Sequence, residues 1–380
     1  MIARDMYGPE YQITVSDAAL GLTGYLVVDN TARGPGKGGL RITPNVTLEE
    51  IARLARNMTW KTALADIPFG GAKAGIVWKG GKNEDKRKLV ARFAELVAPF
   101  TPRKYITSTD VGSTEEDMRT FTEATGNWKS ATGKPANLCM RIFGKTGEKC
   151  GIPHEFGSTG FGVAHATATA CEVLGVALAG ATVAIHGFGN VGSFTAQFLT
   201  DMGARVVAIF KQGGGIYKPE GFSREAIALF MRDKTAIEKS AHGHIITERE
   251  FWKFPVDILI PASVSDVINT QNKRDIRARL IVEAGNIPMQ ETIERELFAH
   301  GVMILPDIVA NAGGVISSYA EYRGYNPKRM FDTVEKKIRA STLRVMNASS
   351  KKRLFPRDVA MKIAKARVES AMEKKRSTKA

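Results

Sequence analysis

Two periodicities divide this chain. From about residue 151 to 324, short β-branched runs alternate with stretches of helical spacing; the runs are Thr182–His186, Arg205–Phe210, Asp257–Ile260, Leu280–Glu283 and Val302–Leu305. That rhythm predicts a parallel sheet covered by helices. Before residue 150, helical patterns and glycine-rich turns mix less regularly, and Pro327–Arg367 reads as two long basic helices. Thr47 is the expected N-cap of an early helix, with Glu50 completing a capping box. Ile51, Leu54 and Met58 form an apolar stripe at helical spacing, which Lys61 continues. A lysine on such a face either reaches an anion or snorkels out at the helix end. Ser113 and Glu116 predict a second capping box, which places Asp110 in the loop before a helix.

At roughly 100–200 residues per domain, 380 residues suggest two or three domains. An apolar share of 43% and a charged share of 24% argue against general disorder. No apolar run reaches the roughly 18 residues of a membrane span, and Met-Ile-Ala-Arg-Asp opens no signal segment, so neither membrane insertion nor secretion is expected. Three cysteines imply no disulfide framework and fit a reducing cytoplasm. Lys+Arg 54 against Asp+Glu 39 leaves +15, which favours phosphate-bearing or acidic ligands. The basic clusters Lys351–Arg353 and Lys374–Arg376 carry no interleaved aromatics to stack bases, so a solvated surface is expected there and nucleic-acid binding is not. The tail Glu373–Ala380 is expected to fray.

The strongest local signal is the β run Thr182–His186 followed by Gly187-Phe-Gly189-Asn190-Val191-Gly192, a helical stretch and a second β run. This is the setting of a dinucleotide fingerprint. Gly187 permits the tight turn, Gly189 lets a pyrophosphate approach the backbone, and Gly192 lets helix and strand pack closely. The second run ends Ile209-Phe210-Lys211-Gln212, and Lys211 stands 211 − 187 = 24 residues past the first glycine. No carboxylate occupies this strand end. A cation there suits a 2′-phosphate, so NADP is expected, with NAD the alternative if Lys211 points to solvent.

Three lysines have unusual neighbours: Lys37 in Gly36-Lys-Gly-Gly, Lys61 in Met58-Thr-Trp-Lys, and Lys73 in Gly70-Gly-Ala-Lys-Ala-Gly. Clustered ammonium groups bind carboxylates and lower one another's pKa, which suits proton transfer near neutral pH. On spacing alone, Asp110 reads more readily as an ordinary loop acid than as a catalytic one.

The segments Asn30–Arg41, Met58–Ala63, Pro68–Ile76, Thr109–Gly112, Gly187–Gly192, Glu283–Asn286 and Asn311–Ser318 resemble glutamate dehydrogenase, within the wider Glu/Leu/Phe/Val dehydrogenase family. The resemblance runs in order from about Leu22 to Asn347. It implies reversible oxidative deamination of glutamate to 2-oxoglutarate and ammonium, by a homo-oligomer that is often hexameric in the family. It also implies two α/β domains: a substrate and oligomerisation domain over 1–150, to which C-terminal helices 325–380 return, and a Rossmann dinucleotide domain over 151–324. Lys61 would hold the α-carboxylate, Lys73 would activate water, and Asp110 would move protons. Lys37 and Ser318 would hold the side-chain carboxylate. Thr159 and Asn286, with Asn311 nearby, would meet the nicotinamide end of the cofactor. Leucine-type relatives carry apolar residues in place of the Lys37/Ser318 pair, so glutamate is expected rather than a branched-chain or aromatic amino acid.

Two features pull towards the leucine and phenylalanine members: Thr107–Met118, with Ser108-Thr109 where glutamate enzymes usually have Ala-Pro, and Glu321–Asn326. The stretch between Pro135 and Ser158 resembles neither group. Its Cys139, Cys150 and His154 lack a CxxC pair and a clear fourth ligand, so an insertion loop is expected and no metal. A catalytically idle nucleotide-binding protein is a further possibility, against which Lys73 and Asp110 both argue.

Overall fold

The computed structural model describes residues 4–141 and 148–378. The chain forms two compact units, Met1–Phe156 with Val315–Thr333 and Met361–Ala380, and Gly157–Gly314 with Val334–Ala360. The first boundary lies six residues beyond the expected 150. The C-terminal helices are also shared out: Val334–Ala360 counts with the second unit, contrary to the expected assignment of 325–380. The reason is packing, since Ile338 lies against Gly162 and Arg357 is ion-paired inside that unit.

The first unit is built on a six-stranded mixed sheet. Its strands are β1 (Tyr11–Asp17), β2 (Leu22–Asn30), β3 (Gly36–Lys37), β4 (Leu40–Thr43), β5 (Gly70–Val77) and β6 (Tyr105–Ile106), in the order β1-β2-β5-β3-β6 with β4 also on β5. One face packs Leu26, Val28, Ala72, Ala74 and Ile76 against Phe93 of α2 (Asn83–Val97) and Phe121 of α3 (Glu115–Thr125). The other packs Val27 against Ile51, Ala52 and Ala55 of α1 (Leu48–Leu64). Side chains alternate between faces along a strand. Val27 is registered opposite Lys73, and Lys37 opposite Gly71, so both lysines share the α1 face. Gly71 has no room for a side chain, because a Cβ would lie 2.1 Å from Thr59 Oγ1; α1 therefore sits flush on β5 two residues from Lys73.

The buried side of α1 is Ile51, Ala52, Ala55, Thr59, Thr62 and Ala63, rotated from the expected stripe; Leu54, Met58 and Lys61 are half-buried on its flank. Thr47 caps the helix, but the Glu50 carboxylate turns to Arg41 instead of closing a box. The second capping box forms one residue later than expected, between Thr114 and Asp117, because the Ser113 hydroxyl is taken by the Asp110 amide. The segment read as an insertion loop holds the hairpin β7 (Cys139–Arg141) and β8 (Glu148–Cys150). Cys139 and Cys150 are directly opposite in it, with Cα atoms 4.0 Å apart, and form a disulfide. The expectation of no disulfide is thus corrected, and with it the inference from cysteine count to compartment; Cys171 is free and buried. The side chain of His154 and residues Lys379 and Ala380 lie outside the described part.

The second unit opens with α4 (Ser158–Leu174) and holds a seven-stranded sheet. Its core elements in chain order are β9 (Thr182–His186), α5 (Asn190–Asp201), β10 (Arg205–Lys211), β11 (Gly214–Tyr217), α6 (Arg224–Arg232) and β12 (His244–Ile246). They continue with α7 (Glu248–Phe251), β13 (Ile258–Pro261), β14 (Leu280–Val282), α8 (Glu291–Ala299), β15 (Met303–Leu305) and α9 (Asp307–Ala310). The strand order is β12-β11-β10-β9-β13-β14-β15, parallel from β10 to β15. All five β runs read from sequence are strands, with ends within one residue. The two-domain α/β architecture, with a Rossmann-type second unit, follows. Helices α10 (Gly313–Arg323), α11 (Pro327–Lys352) and α12 (Pro356–Ser377) complete the chain, and no described helix is long and apolar enough to cross a membrane.

Candidate active site and dinucleotide site

On the α1 face of the first sheet, four charges form a chain. Lys73 Nζ lies 3.0 Å from Asp110 Oδ1, Arg41 Nε donates to Asp110 Oδ2 at 2.9 Å, and Arg41 Nη1 donates to Glu50 Oε1 at 2.5 Å. The geometry follows from register: Arg41 is opposite Gly75 on β5, so it shares the face of Lys73. Asp110 is carried to them by the loop after β6, which packs against Gly39 between β3 and β4; a Cβ on Gly39 would lie 2.8 Å from Asp110 Cβ. Lys73 is 6% exposed. Burial pushes its pKa down, and the neighbouring Asp110 carboxylate offsets this only in part. For Asp110, burial pushes upward, but Lys73 and Arg41 together outweigh it and hold the carboxyl below its ordinary value. The result is an ionised acid beside an amine that gives up its proton more readily than usual.

Lys37 is 1% exposed, and its Nζ donates to Thr107 O at 2.8 Å. Among the described residues no carboxylate lies within ion-pair distance of it. Burial drives its pKa well below the ordinary lysine value; the Glu321 charge opposes this, and the Lys73 and Lys134 charges reinforce it. Glu321, in α10, is itself buried and paired with Lys134 Nζ at 2.6 Å. Its second oxygen accepts from the Gly133 and Ile152 amides at 2.7 and 3.1 Å. Ser318, half-buried, stands one helical turn before Glu321. Lys61 is half-buried in the last turn of α1.

In the second unit, the Gly187–Gly192 loop joins β9 to α5. Gly187 has φ +102°, which an L side chain rarely adopts. A Cβ on Gly192 would lie 1.9 Å from Gly187 O, so only glycine lets helix and strand meet there. Gly189, by contrast, faces open space, and the helix N-terminus at Asn190 and Val191 opens beside it. Sheet order reverses around β9, with β10 on one side and β13 on the other, which is where doubly wound sheets bind nucleotides. Asn311 Nδ2 donates to Gly285 O at 3.1 Å and Asn286 Oδ1 at 3.0 Å, while Asn311 Oδ1 is buried with no partner among the described residues. Thr159, in the first turn of α4, has its hydroxyl 2.9 Å from where a Gly314 Cβ would be. A glycine cradle, a helix N-terminus and an orphaned buried amide oxygen together fit a dinucleotide.

The loop that bears Asn286 is tied down by a buried charge cluster. Asp307 Oδ2 accepts from the Ile287 amide at 3.0 Å and so holds a β-branched residue at φ +49°. Arg357 reaches Glu283 Oε2 at 2.6 Å, Glu294 Oε2 at 2.5 Å and Asp307 Oδ1 at 3.0 Å. At the end of β10, Lys211 is ion-paired with Glu238, which arrives from the 3₁₀ turn Lys234–Glu238. The fold thus supplies a carboxylate at a strand end where the sequence places none.

Residues 9–127 match the model of the Glu/Leu/Phe/Val dehydrogenase dimerisation domain, and residues 150–376 match that of Glutamate/Leucine/Phenylalanine/Valine dehydrogenase. The chain belongs to this family. Glutamate dehydrogenase of Thermotoga maritima is 34% identical over 377 residues, 96% of this chain and 89% of that protein. The NADP(+)-dependent glutamate dehydrogenase of Pyrobaculum calidifontis is 39% identical over 308 residues, 79% of this chain and 72% of its own length. The crystal structure of hetero-hexameric glutamate dehydrogenase from Thermus thermophilus (Leu bound form) is similar at TM-score 0.80 and 27% identity, covering 96% of this chain and 89% of that one. This dehydrogenase therefore acts on an amino acid with a nicotinamide dinucleotide. The pairing of Arg41 with Asp110 and Glu50, and of Lys134 with Glu321, escapes the sequence reading, in which Glu50 is a capping residue and Glu321 only the start of a segment closer to the leucine and phenylalanine members.

Proposed function

We propose that this dehydrogenase reversibly deaminates L-glutamate to 2-oxoglutarate and ammonium, with NADP⁺ as hydride acceptor and NAD⁺ as the alternative. One observation carries the substrate assignment: Lys37 is buried against a neutral carbonyl on the sheet face that holds Lys73. A buried ammonium without a carboxylate partner is costly, and the second carboxylate of glutamate relieves that cost whereas an aliphatic side chain does not. Lys37 and Ser318 hold that carboxylate in this scheme, and Lys61 holds the α-carboxylate. The Lys73 amine takes a proton from the attacking water and supports the carbinolamine. Asp110, kept ionised by Lys73 and Arg41, exchanges protons with the substrate nitrogen.

The bound dinucleotide would accept hydride from the substrate Cα. Gly187, Gly189, Asn190, Val191 and Gly192 would hold its pyrophosphate, and Lys211 its adenosine ribose. Thr159, Asn286 and Asn311 would hold the nicotinamide end. The dimerisation-domain match supports a homo-oligomer, and the hexameric relative makes six subunits the expected number. The cytoplasm is the proposed compartment, on the ground that this is central amino-acid metabolism.

Glutamate and leucine assayed with each dinucleotide test the proposal; leucine turnover above glutamate turnover would overturn it. Lys37→Met is expected to lower kcat/KM for glutamate by about 10²-fold or more, because it removes a buried charge partner of the substrate. Turnover of norvaline should fall far less. Equal losses for both substrates would show that Lys37 supports the fold and does not choose the side chain.

A further inference from the structure

We propose that Glu238 is a specificity-determining residue: by competing for Lys211 it weakens the NADP preference that Lys211 alone would confer. The inference rests on the dinucleotide assignment above and deepens it.

In a doubly wound sheet, the end of the second strand meets the ribose of the adenosine half. Here that end is Lys211, where a cation would select a 2′-phosphate. Its ammonium is already engaged by the Glu238 carboxylate and also donates to Gln212 O at 3.2 Å. A Cβ on Gly213, in the turn that follows, would lie 3.2 Å from Glu238 Oε1 and 3.7 Å from Lys211 Nζ. The turn passes directly over the pair, so both charges belong to the strand end.

The neighbouring charges do not cancel Glu238. On its own turn, Lys239 faces Asp233 at 3.6 Å. The corner is therefore a neutral Lys211–Glu238 pair. A 2′-phosphate must pull Lys211 away from Glu238 and is repelled by the carboxylate left behind. A 2′-hydroxyl meets neither penalty, since a carboxylate accepts its hydrogen bond and the ion pair stays intact. The side chains are 17% and 44% exposed, so the effect is moderated by solvent. That same exposure means the pair can be cut without emptying the core.

The test is titration of the intact protein with NADP⁺ and NAD⁺, without amino acid, by calorimetry or tryptophan fluorescence. Glu238→Gln should tighten NADP⁺ by about tenfold and change NAD⁺ by less than about threefold, a size in keeping with a partly screened charge. Lys211→Gln should weaken NADP⁺ by about tenfold and leave NAD⁺ nearly unchanged. If Glu238→Gln leaves NADP⁺ affinity unaltered, or shifts both dinucleotides alike, the proposal falls. If the wild-type protein binds neither dinucleotide, the cofactor assignment falls with it. If the affinities shift as expected but glutamate is not oxidised, only the substrate assignment fails.

Discussion

Replacing Lys73 with methionine should lower kcat for glutamate oxidation by about 10³–10⁴-fold, the upper range for loss of a positioned proton-transfer group, while the fold persists. Arg41, 2.9 Å from Asp110, is untouched by this substitution, so the half-buried carboxylate is not stranded. Methionine also fills nearly the volume that the lysine stem vacates. KM for glutamate should move much less than kcat, because in the proposed scheme Lys37 and Lys61 still hold the two carboxylates. The pH profile separates chemistry from mere structure. In the proposed scheme, activity in the deamination direction requires the neutral Lys73 amine, so kcat/KM should rise with pH along a limb set by the Lys73 pKa. Burial places that limb below the ordinary lysine value. The Asp110 charge opposes the lowering, and the Arg41 charge adds to it. Asp110→Asn should therefore move the limb to lower pH, and Arg41→Met should move it to higher pH, whatever either does to the maximal rate. A limb that stays put in both variants would remove Lys73 from the proton path.

The parts of this molecule legible in the sequence are those written in local periodicity. The strands Thr182–His186 and Leu280–Val282 stand out because β-branched runs bounded by helical spacing have few other readings. The Gly187–Gly192 loop is legible because its glycines recur at a fixed spacing within six residues, Gly187 and Gly192 under steric demand and Gly189 facing open space. The site of the first unit is different. Spacing alone makes Asp110 a loop acid, and only the registers of β3, β4 and β5 put Lys37, Lys73 and Arg41 on one face above it. Helical spacing draws attention to Lys61 and glycine-rich neighbours to Lys37 and Lys73, but only resemblance to the family gives the lysines their separate roles. Three misreadings have local causes. Ser113 and Thr114 can each cap α3, and the choice is made by a hydrogen bond from the Asp110 amide that no spacing encodes. Cysteine count cannot show that Cys139 and Cys150 end up opposite in a hairpin. Glu238 reaches Lys211 from a turn beyond two further elements, so the missing acid of that strand end was invisible in its own neighbourhood.

Arg357→Met should cost about 3–5 kcal/mol of stability near pH 8, the range for removing one partner of a buried charge group. Glu283 and Glu294 are both 0% exposed, Asp307 is 6% exposed, and the one guanidinium faces all three. Even with Arg357 present, one oxygen of Glu283 and one of Glu294 are buried without a partner among the described residues. Burial pushes the pKa of each upward, and the carboxylates crowd one another further, with Arg357 pulling the other way. The sign of the pH dependence follows. A carboxyl with a raised folded pKa stabilises the fold fully below its ordinary value of 4.5 and loses that contribution as pH rises through the folded value. Without Arg357 both folded values rise again, so the loss grows steeper. The gap between variant and wild type should therefore be largest at pH 8 and shrink as pH falls toward 5, where protonation replaces the missing cation. Urea unfolding followed at both pH values measures this directly. Arg357→Lys should fall between, since a single ammonium cannot reach three carboxylates as the planar fork does. The loss should also reach the cofactor site. Asp307 holds Ile287 in a left-handed conformation, and with that restraint slackened the loop bearing Asn286 loosens, so dinucleotide affinity should drop before the unit unfolds. A gap that widens toward acid would mean that Glu283 and Glu294 are ionised and content without Arg357, and the cluster would have to be understood differently.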